Sequence, residues 1–198
     1  MFKDTNHIRT FSKIIIFFFL FNTNANSSDI SDFQIEGLSI GDSLLNFASE
    51  KVIENHRSKN QSSYNKHIIF EADKFIKINQ YDFLSVSTKN NDPKYIITSI
   101  SGKMFYDNLS ECKKLRKSIV NDIKKIIKFD SFEKSKYKSQ DGKATVHAIQ
   151  FYLKPYPSVE SIVVNCIQYP KNKTNENNLS VSINSEEYAY WLINDAYK

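Results

Sequence analysis

An α+β fold with a mostly antiparallel sheet is predicted by three features of the chain. Segments rich in β-branched and aromatic residues arrive in adjacent pairs, turn-forming residues join the members of each pair, and helical periodicity is confined to separated stretches. The helices are expected on one face of the sheet. The order helix, strands, helix, strands, helix also carries an echo of two αβββ-like halves without any residue-level repeat, so residues 26–198 are read as one domain.

The first 25 residues are set apart as a signal peptide. Lys3, Arg9 and Lys13 precede an unbroken apolar run from Ile14 to Phe21, too short to span a bilayer but suited to a signal-peptide core. Thr23 and Ala25 place small residues for cleavage after Ala25, and the mature chain is expected to start between Asn26 and Ser28. No Cys stands directly after the apolar run, which argues against a lipid anchor.

In the mature part, the apolar segment from Phe33 to Leu38 leads into a helix. Ser39 and Asp42 have the spacing of a capping box, and Leu44, Leu45, Ala48, Val52 and Ile53 follow at helical intervals. A polar stretch from Asn55 to Asn65 ends it. The region from His67 to Ile100 reads as strands with a hairpin, its arms marked by Leu84 and Val86 and by Tyr95, Ile97 and Ser99 around the turn from Lys89 to Pro93. A second helix is expected from Leu109 to Lys128, capped by Asp107 or Asn108. Its apolar stripe is Leu109, Cys112, Leu115, Ile119, Ile123 and Ile126. Lys113, Lys114, Lys117, Lys124 and Lys128 lie off the stripe and form a basic face, read as a solvated surface that could also take anions. The polar residues from Asp130 to Lys143 read as a loop. Strands follow from Thr145 to Leu153 and from Ser161 to Tyr169 around a turn made by Pro155 and Pro157. A loop to Asn178, a strand from Leu179 to Ile183 and a terminal helix from Ser185 to Tyr197, with Tyr188, Trp191 and Leu192 inward, complete the chain.

Charge and cysteine content narrow the function classes. The whole chain carries 27 Lys and Arg against 22 Asp and Glu; without residues 1–25 the balance is 24 against 21, or +3. Lys, Asn, Ile, Phe and Tyr are plentiful and Arg occurs three times, the signature of A/T-rich codons rather than of a nucleic-acid footprint. In an oxidising compartment the two cysteines, Cys112 and Cys166, most simply form one disulfide.

Two hydrolase strings overlap in the sequence. Gly37 to Gly41 spells G-x-S-x-G, and Gly41-Asp42-Ser43-Leu44 spells the nucleophile block of GDSL esterases, so Ser43 is a candidate nucleophile and His147 its candidate base. The rest of that constellation is missing. Ala144 stands where Asp-x-x-His would need an Asp, and four glycines cannot supply the oxyanion-hole blocks. Helix capping by Ser39 and Asp42 explains the same residues. The mature chain has three His, with no HExxH and no C-x-x-C, so neither a metal site nor a cofactor is expected. Adjacent aromatics such as Phe151 and Tyr152 must face opposite sides of a strand, which makes Tyr152, Tyr156 and Tyr169 a candidate exposed patch for a peptide, glycan or protein.

The opening DFQIEGLSIGDSLLNF, the later YIITSISGKMFYDNLSECKKL and a second Cys in a following strand resemble a group of uncharacterised exported proteins of A/T-rich marine alphaproteobacteria. The resemblance covers most of the mature chain and implies a periplasmic location and paired cysteines. The Gly37-Leu38-Ser39 start is similar, over a few residues, to small outer-membrane assembly lipoproteins of the BamE type, although the lipid-bearing Cys is absent. The reading is a soluble periplasmic or secreted binding or interaction protein without catalysis, its partner a protein, peptide or glycan of the envelope. It has neither nucleic acid nor a membrane span after cleavage. The alternatives are a small esterase using Ser43 and an envelope assembly or inhibitor module.

Overall fold

A computed structural model describes residues 29–59, 66–139, 142–170 and 176–196. The expected signal peptide and its cleavage site lie outside these residues. The described chain forms two sheets and three α-helices. A small hairpin pairs β1 (Gln34–Ile35) with β2 (Leu38–Ser39). The main sheet holds β3 (His67–Glu71), β4 (Phe83–Lys89), β5 (Ile97–Phe105), β6 (Ser131–Lys138), β7 (Thr145–Tyr152), β8 (Ser161–Gln168) and β9 (Asn178–Asn184) in the order β3-β4-β5-β9-β8-β7-β6. Every neighbouring pair is antiparallel. The helices are α1 (Glu50–Asn55), α2 (Leu109–Ile126) and α3 (Glu186–Asn194). The α+β class and the antiparallel sheet are as expected.

Register explains where the core forms. Phe70, Val86, Ile100, Ile183, Ile162 and Phe151 stand opposite one another across six strands. Because side chains alternate, the whole row points to one face. Leu84, Val181, Val164 and Ile149 share that face, and all these residues belong to one buried cluster with Leu38, Leu44, Ile53 of α1 and Val120 and Ile123 of α2. A disulfide joins Cys112 of α2 to Cys166 of β8, so α2 is fixed on the same face. The other face has a different lining. Ser85, Ser101 and Ser182 form one of its rows, Ser87, Ser99, Asn184 and Ser161 another.

The helices depart from the expectation of a single face. Helix α3 turns back from the end of β9 and lays Tyr188 and Trp191 against His67, whose side chain alternates away from the apolar face. Its placement follows from two residues at its start: Ser185 donates its N–H to the carbonyl of Thr98, and its hydroxyl caps the helix at Tyr188. The sheet is therefore covered by α1 and α2 on one side and by α3 on the other. The expected two αβββ-like halves are met only by the first: α1 is followed by the three strands β3-β4-β5, but α2 by four, β6-β7-β8-β9.

Three local expectations are corrected. Ser39 and Asp42 do not cap a helix. Ser39 is a strand residue, and Asp42 accepts its N–H at 2.9 Å within a turn. Gly41, Asp42 and Leu44 pair their backbone with Tyr95 and Ile97, which holds this segment extended, so only a 3-10 turn (Leu44–Asn46) forms before Ser49 starts α1. Glu36 and Gly37, at φ of 53° and 82°, supply the two left-handed residues of a tight hairpin turn ahead of it. The expected loop from Asp130 to Lys143 contains the edge strand β6, whose sequence SFEKSKYK alternates too weakly in hydrophobicity to signal a strand. Helix α2 matches closely, with Asn108 as the cap accepting from Glu111 N–H. Ile126, expected on the apolar stripe, is exposed, and Val120 is buried instead.

One glycine is required by packing. The Glu36 carboxylate accepts the N–H groups of Asn79, Gln80 and Tyr81, and this clamp presses the Tyr81 ring onto Gly102 of β5. A Cβ at residue 102 would lie 2.5 Å from the ring. Gly102→Ala is expected to cost about 1–3 kcal/mol, read as a lower urea midpoint with unchanged slope, and Tyr81→Ala in the same chain should recover part of it. Replacing Cys112 and Cys166 together by Ser should lower stability by about 2–4 kcal/mol in the same measurement, since the bond closes a loop with a sequence separation of 54.

Candidate functional site

The esterase constellation is not assembled. The Ser43 hydroxyl donates to the Lys94 carbonyl and accepts from Leu45 N–H, capping a short 3-10 turn. Ser43 bridges to Ile96, just before β5, whereas His147 sits on β7, level with the far end of β5 through Cys166, Leu179 and Met104. Three strand spacings across and about eight residues along separate them, roughly 14 Å by 25 Å. The proposed base is out of reach of the nucleophile.

The tyrosine patch is likewise split. Tyr152 pairs with Ser161 at one end of β8, and Tyr169 follows Gln168 at the other, about 25 Å away. Tyr156, 93% exposed, projects from the turn near Tyr152. Phe151 is fully buried and Tyr152 faces the opposite side of the sheet, half-buried, as strand alternation requires.

Among the described residues no group of three His, Cys, Asp or Glu is placed to hold a metal, and no helix is long and apolar enough to cross a membrane. On the α3 side of the sheet the hydroxyls mostly bond one another. Ser101 meets Ser180 and Ser182 at 3.1 and 2.9 Å, and Ser99 donates to Asn184. Lys103 lies half-buried beside them over the Phe83 ring, its ammonium held below its ordinary pKa by burial.

The opposite face gathers charge. Helix α2 lies on β8 and β9, and its flank reaches over β7 and β6: Arg116 donates to the His147 carbonyl, and the Lys124 ammonium stands 3.8 Å from the centre of the Phe132 ring. Lys113, Arg116, Lys117 and Lys124 recur at helical spacing along this flank. On β6, Phe132, Lys134 and Lys136 alternate onto the same face, opposite Phe151, Ile149 and His147. Lys136, His147 and Cys166 form one row across three strands, and Cys112 sits on that row, so Lys113 is brought beside His147. The strip between α2 and β6 thus carries six cations and a histidine.

Among the described residues none of Lys113, Arg116, Lys117, Lys124, Lys134 or Lys136 forms an ion pair, while Lys125 pairs with Asp122 and Lys154 with Glu160 elsewhere. His147 shows the consequence: burial first, then the charges of Lys113, Lys136 and Arg116, pull its pKa below the usual histidine value. Burial similarly lowers Arg116. Five of the seven groups were visible in the sequence, Lys113, Lys117 and Lys124 as a basic helix face, Arg116 as one of three arginines and His147 as a candidate base. Lys134 and Lys136 were missed because the segment that holds them reads as a loop.

No protein-family model matches the chain, and no curated protein matches it. Among solved structures it aligns with the 1.9 Å crystal structure of the Ran-binding protein Mog1p of Saccharomyces cerevisiae, at 10% identity over 70% of this chain and 82% of that one, with a TM-score of 0.33. A likeness of that depth carries no argument about activity or partner.

His67 belongs to neither surface and acts on stability. It is fully buried under α3. The Thr98 hydroxyl donates to the Ser87 carbonyl, so its oxygen accepts the His67 Nδ1–H, and Nε2 has no partner. Burial lowers the His67 pKa, the Glu187 charge partly offsets this, and Lys66 and Lys89 add to the lowering. The unfolded chain therefore takes up a proton near pH 6.5, while the folded chain takes it up only at lower pH. This contribution is complete above about pH 6.5 and is lost as pH falls toward the folded pKa. The urea midpoint should drop between pH 7 and pH 5, and His67→Gln should make that drop shallower, with His147 accounting for part of the remainder.

Proposed function

We infer that this chain is an exported binding protein without catalysis, and that the strip between α2 and β6 takes an anionic partner. The observation that carries the reading is the convergence on one face of six cations that form no ion pair among the described residues, around His147, where like charges repel and a negative ligand would relieve the repulsion. The Cys112 to Cys166 bond supports a compartment in which thiols oxidise, and the apolar run from Ile14 to Phe21 supports entry by an export signal. The separation of Ser43 from His147 counts against the esterase alternative. The envelope-protein resemblance of the sequence agrees with this location.

The test has two parts. Expressed through a bacterial export pathway, the protein should be recovered with its first residue between Asn26 and Ser28 and with both cysteines oxidised. The purified protein should bind fluorescent poly-glutamate with an affinity that falls as salt rises, because screening weakens exposed charge pairs. Lys124→Glu together with Lys134→Glu should weaken binding about tenfold or more, equivalent to about 1.4 kcal/mol. Unchanged affinity in that variant, with its urea midpoint intact, would sink the reading.

A further inference from the structure

Resting on that reading, we propose that the partner of the basic strip is an extended acidic segment of another protein, which adds as a strand to the outer edge of β6. It would carry Asp or Glu at every second position.

The two edges of the main sheet are treated differently. The β3 edge is closed: Ser58 N–H bonds to the Ile69 carbonyl, Glu71 N–H to the His56 carbonyl, and Arg57 bridges to Phe70. At the other edge, among the described residues, no backbone hydrogen bond joins the segment from Ser131 to Lys136 to anything but β7 and the loops that flank it. This edge strand is mostly exposed along its length. An open edge is a template for a further strand, since its outward amides and carbonyls already stand at strand spacing.

The side chains beside that edge choose the strand. Lys134 and Lys136 point to the α2 face, and Glu133 and Ser135 point to the other. A second copy of β6 laid against this edge would bring lysine toward lysine, and like charges opposite each other are destabilising. An added strand with acidic residues on the α2 face would meet Lys134 and Lys136 directly. Its carboxylates could also reach Lys117 and Lys124 across the strip. On the other face, an acidic residue would meet Glu133, so those positions favour neutral side chains. The period of two in the ligand is thus dictated by the period of two in β6. A phospholipid surface or a nucleic acid would satisfy the cations but would leave the edge amides without partners.

The experiment uses the disulfide-bonded protein and an eight-residue peptide alternating Glu and Thr, labelled for anisotropy. It is compared with the same residues in blocks, with two alternating peptides N-methylated on one or the other alternate set of amides, and with phosphatidylglycerol vesicles. The alternating peptide should bind at least tenfold more tightly than the block peptide. One N-methylated peptide should lose at least tenfold while the other keeps its affinity, because only one set of amides faces the sheet. Amide exchange within β6 should slow about tenfold on binding, and Lys134→Gln with Lys136→Gln should weaken the alternating peptide about tenfold at an unchanged urea midpoint. Equal binding of all four peptides, still sensitive to Lys134 and Lys136, would overturn the strand while leaving anion binding in place. Binding to vesicles alone would overturn it in favour of a lipid surface. Loss of every interaction would remove both this inference and the function it rests on.

Discussion

The pairing of β9 with both β5 and β8 is the constraint on which the rest of the structure depends. Strand β9 is the last in the chain and lies in the middle of the sheet, so the meander β3-β4-β5 and the meander β6-β7-β8 become one surface only when it enters. Its register sets Ile183 between Ile100 and Ile162, and this alignment makes the apolar row continuous from Phe70 to Phe151. A slip of one residue would turn Leu179, Val181 and Ile183 to the serine-lined face and place Ser180 and Ser182 in the core. The row offers α2 a broad apolar bed, and its loss would leave that helix with nothing to bury against.

The disulfide then converts that bed into an address. Cys112 lies in the first turns of α2 and Cys166 near the end of β8, so the bond sets which part of the helix passes over which strand. From that point the flank of α2 runs antiparallel to β6, with Lys113 near the Lys136 row and Lys124 over Phe132. The basic residues of the helix and the lysines of the strand come from separate segments, and neither set is unusual alone. Their convergence, with no ion pair among the described residues, makes a positively charged surface, and it follows from the register of β6 on β7 and the seat of α2 on β8. The aromatic cluster of Phe129, Phe132 and Phe151 beneath one end of the strip holds that part of β6 against the core.

The opposite face is organised by a different economy of polar groups. Its serines and asparagines bond across β5 and β9, and α3 closes the end of the face over His67, with Lys89 and Lys66 reaching Glu187 on the helix. The chain thus uses one face for burial and charge and the other for a compact polar layer.

Much of the scaffold was legible in the residues alone. The hairpin of β4 and β5, helix α2 with its cap at Asn108, the strands β7, β8 and β9, and the pairing of Cys112 with Cys166 each carry a local signal: periodicity, a turn, a cap, or two cysteines with no other partner. The helix expected after Ser39 starts late because backbone pairing with Tyr95 and Ile97, far along the chain, holds Gly41 to Leu44 extended and leaves only a 3-10 turn ahead of α1. Strand β6 was invisible because its exposed lysines satisfy water, not a core, and an edge strand needs only its neighbour to exist. The candidate nucleophile and base were likewise distant in a way no spacing could show. By itself, the order of residues determined which segments could be helix or strand and which positions could be buried, because those depend on near neighbours. Only the tertiary structure decided which face each helix covers, which edge stays open and which charges meet, because these depend on a strand order that the last strand completes.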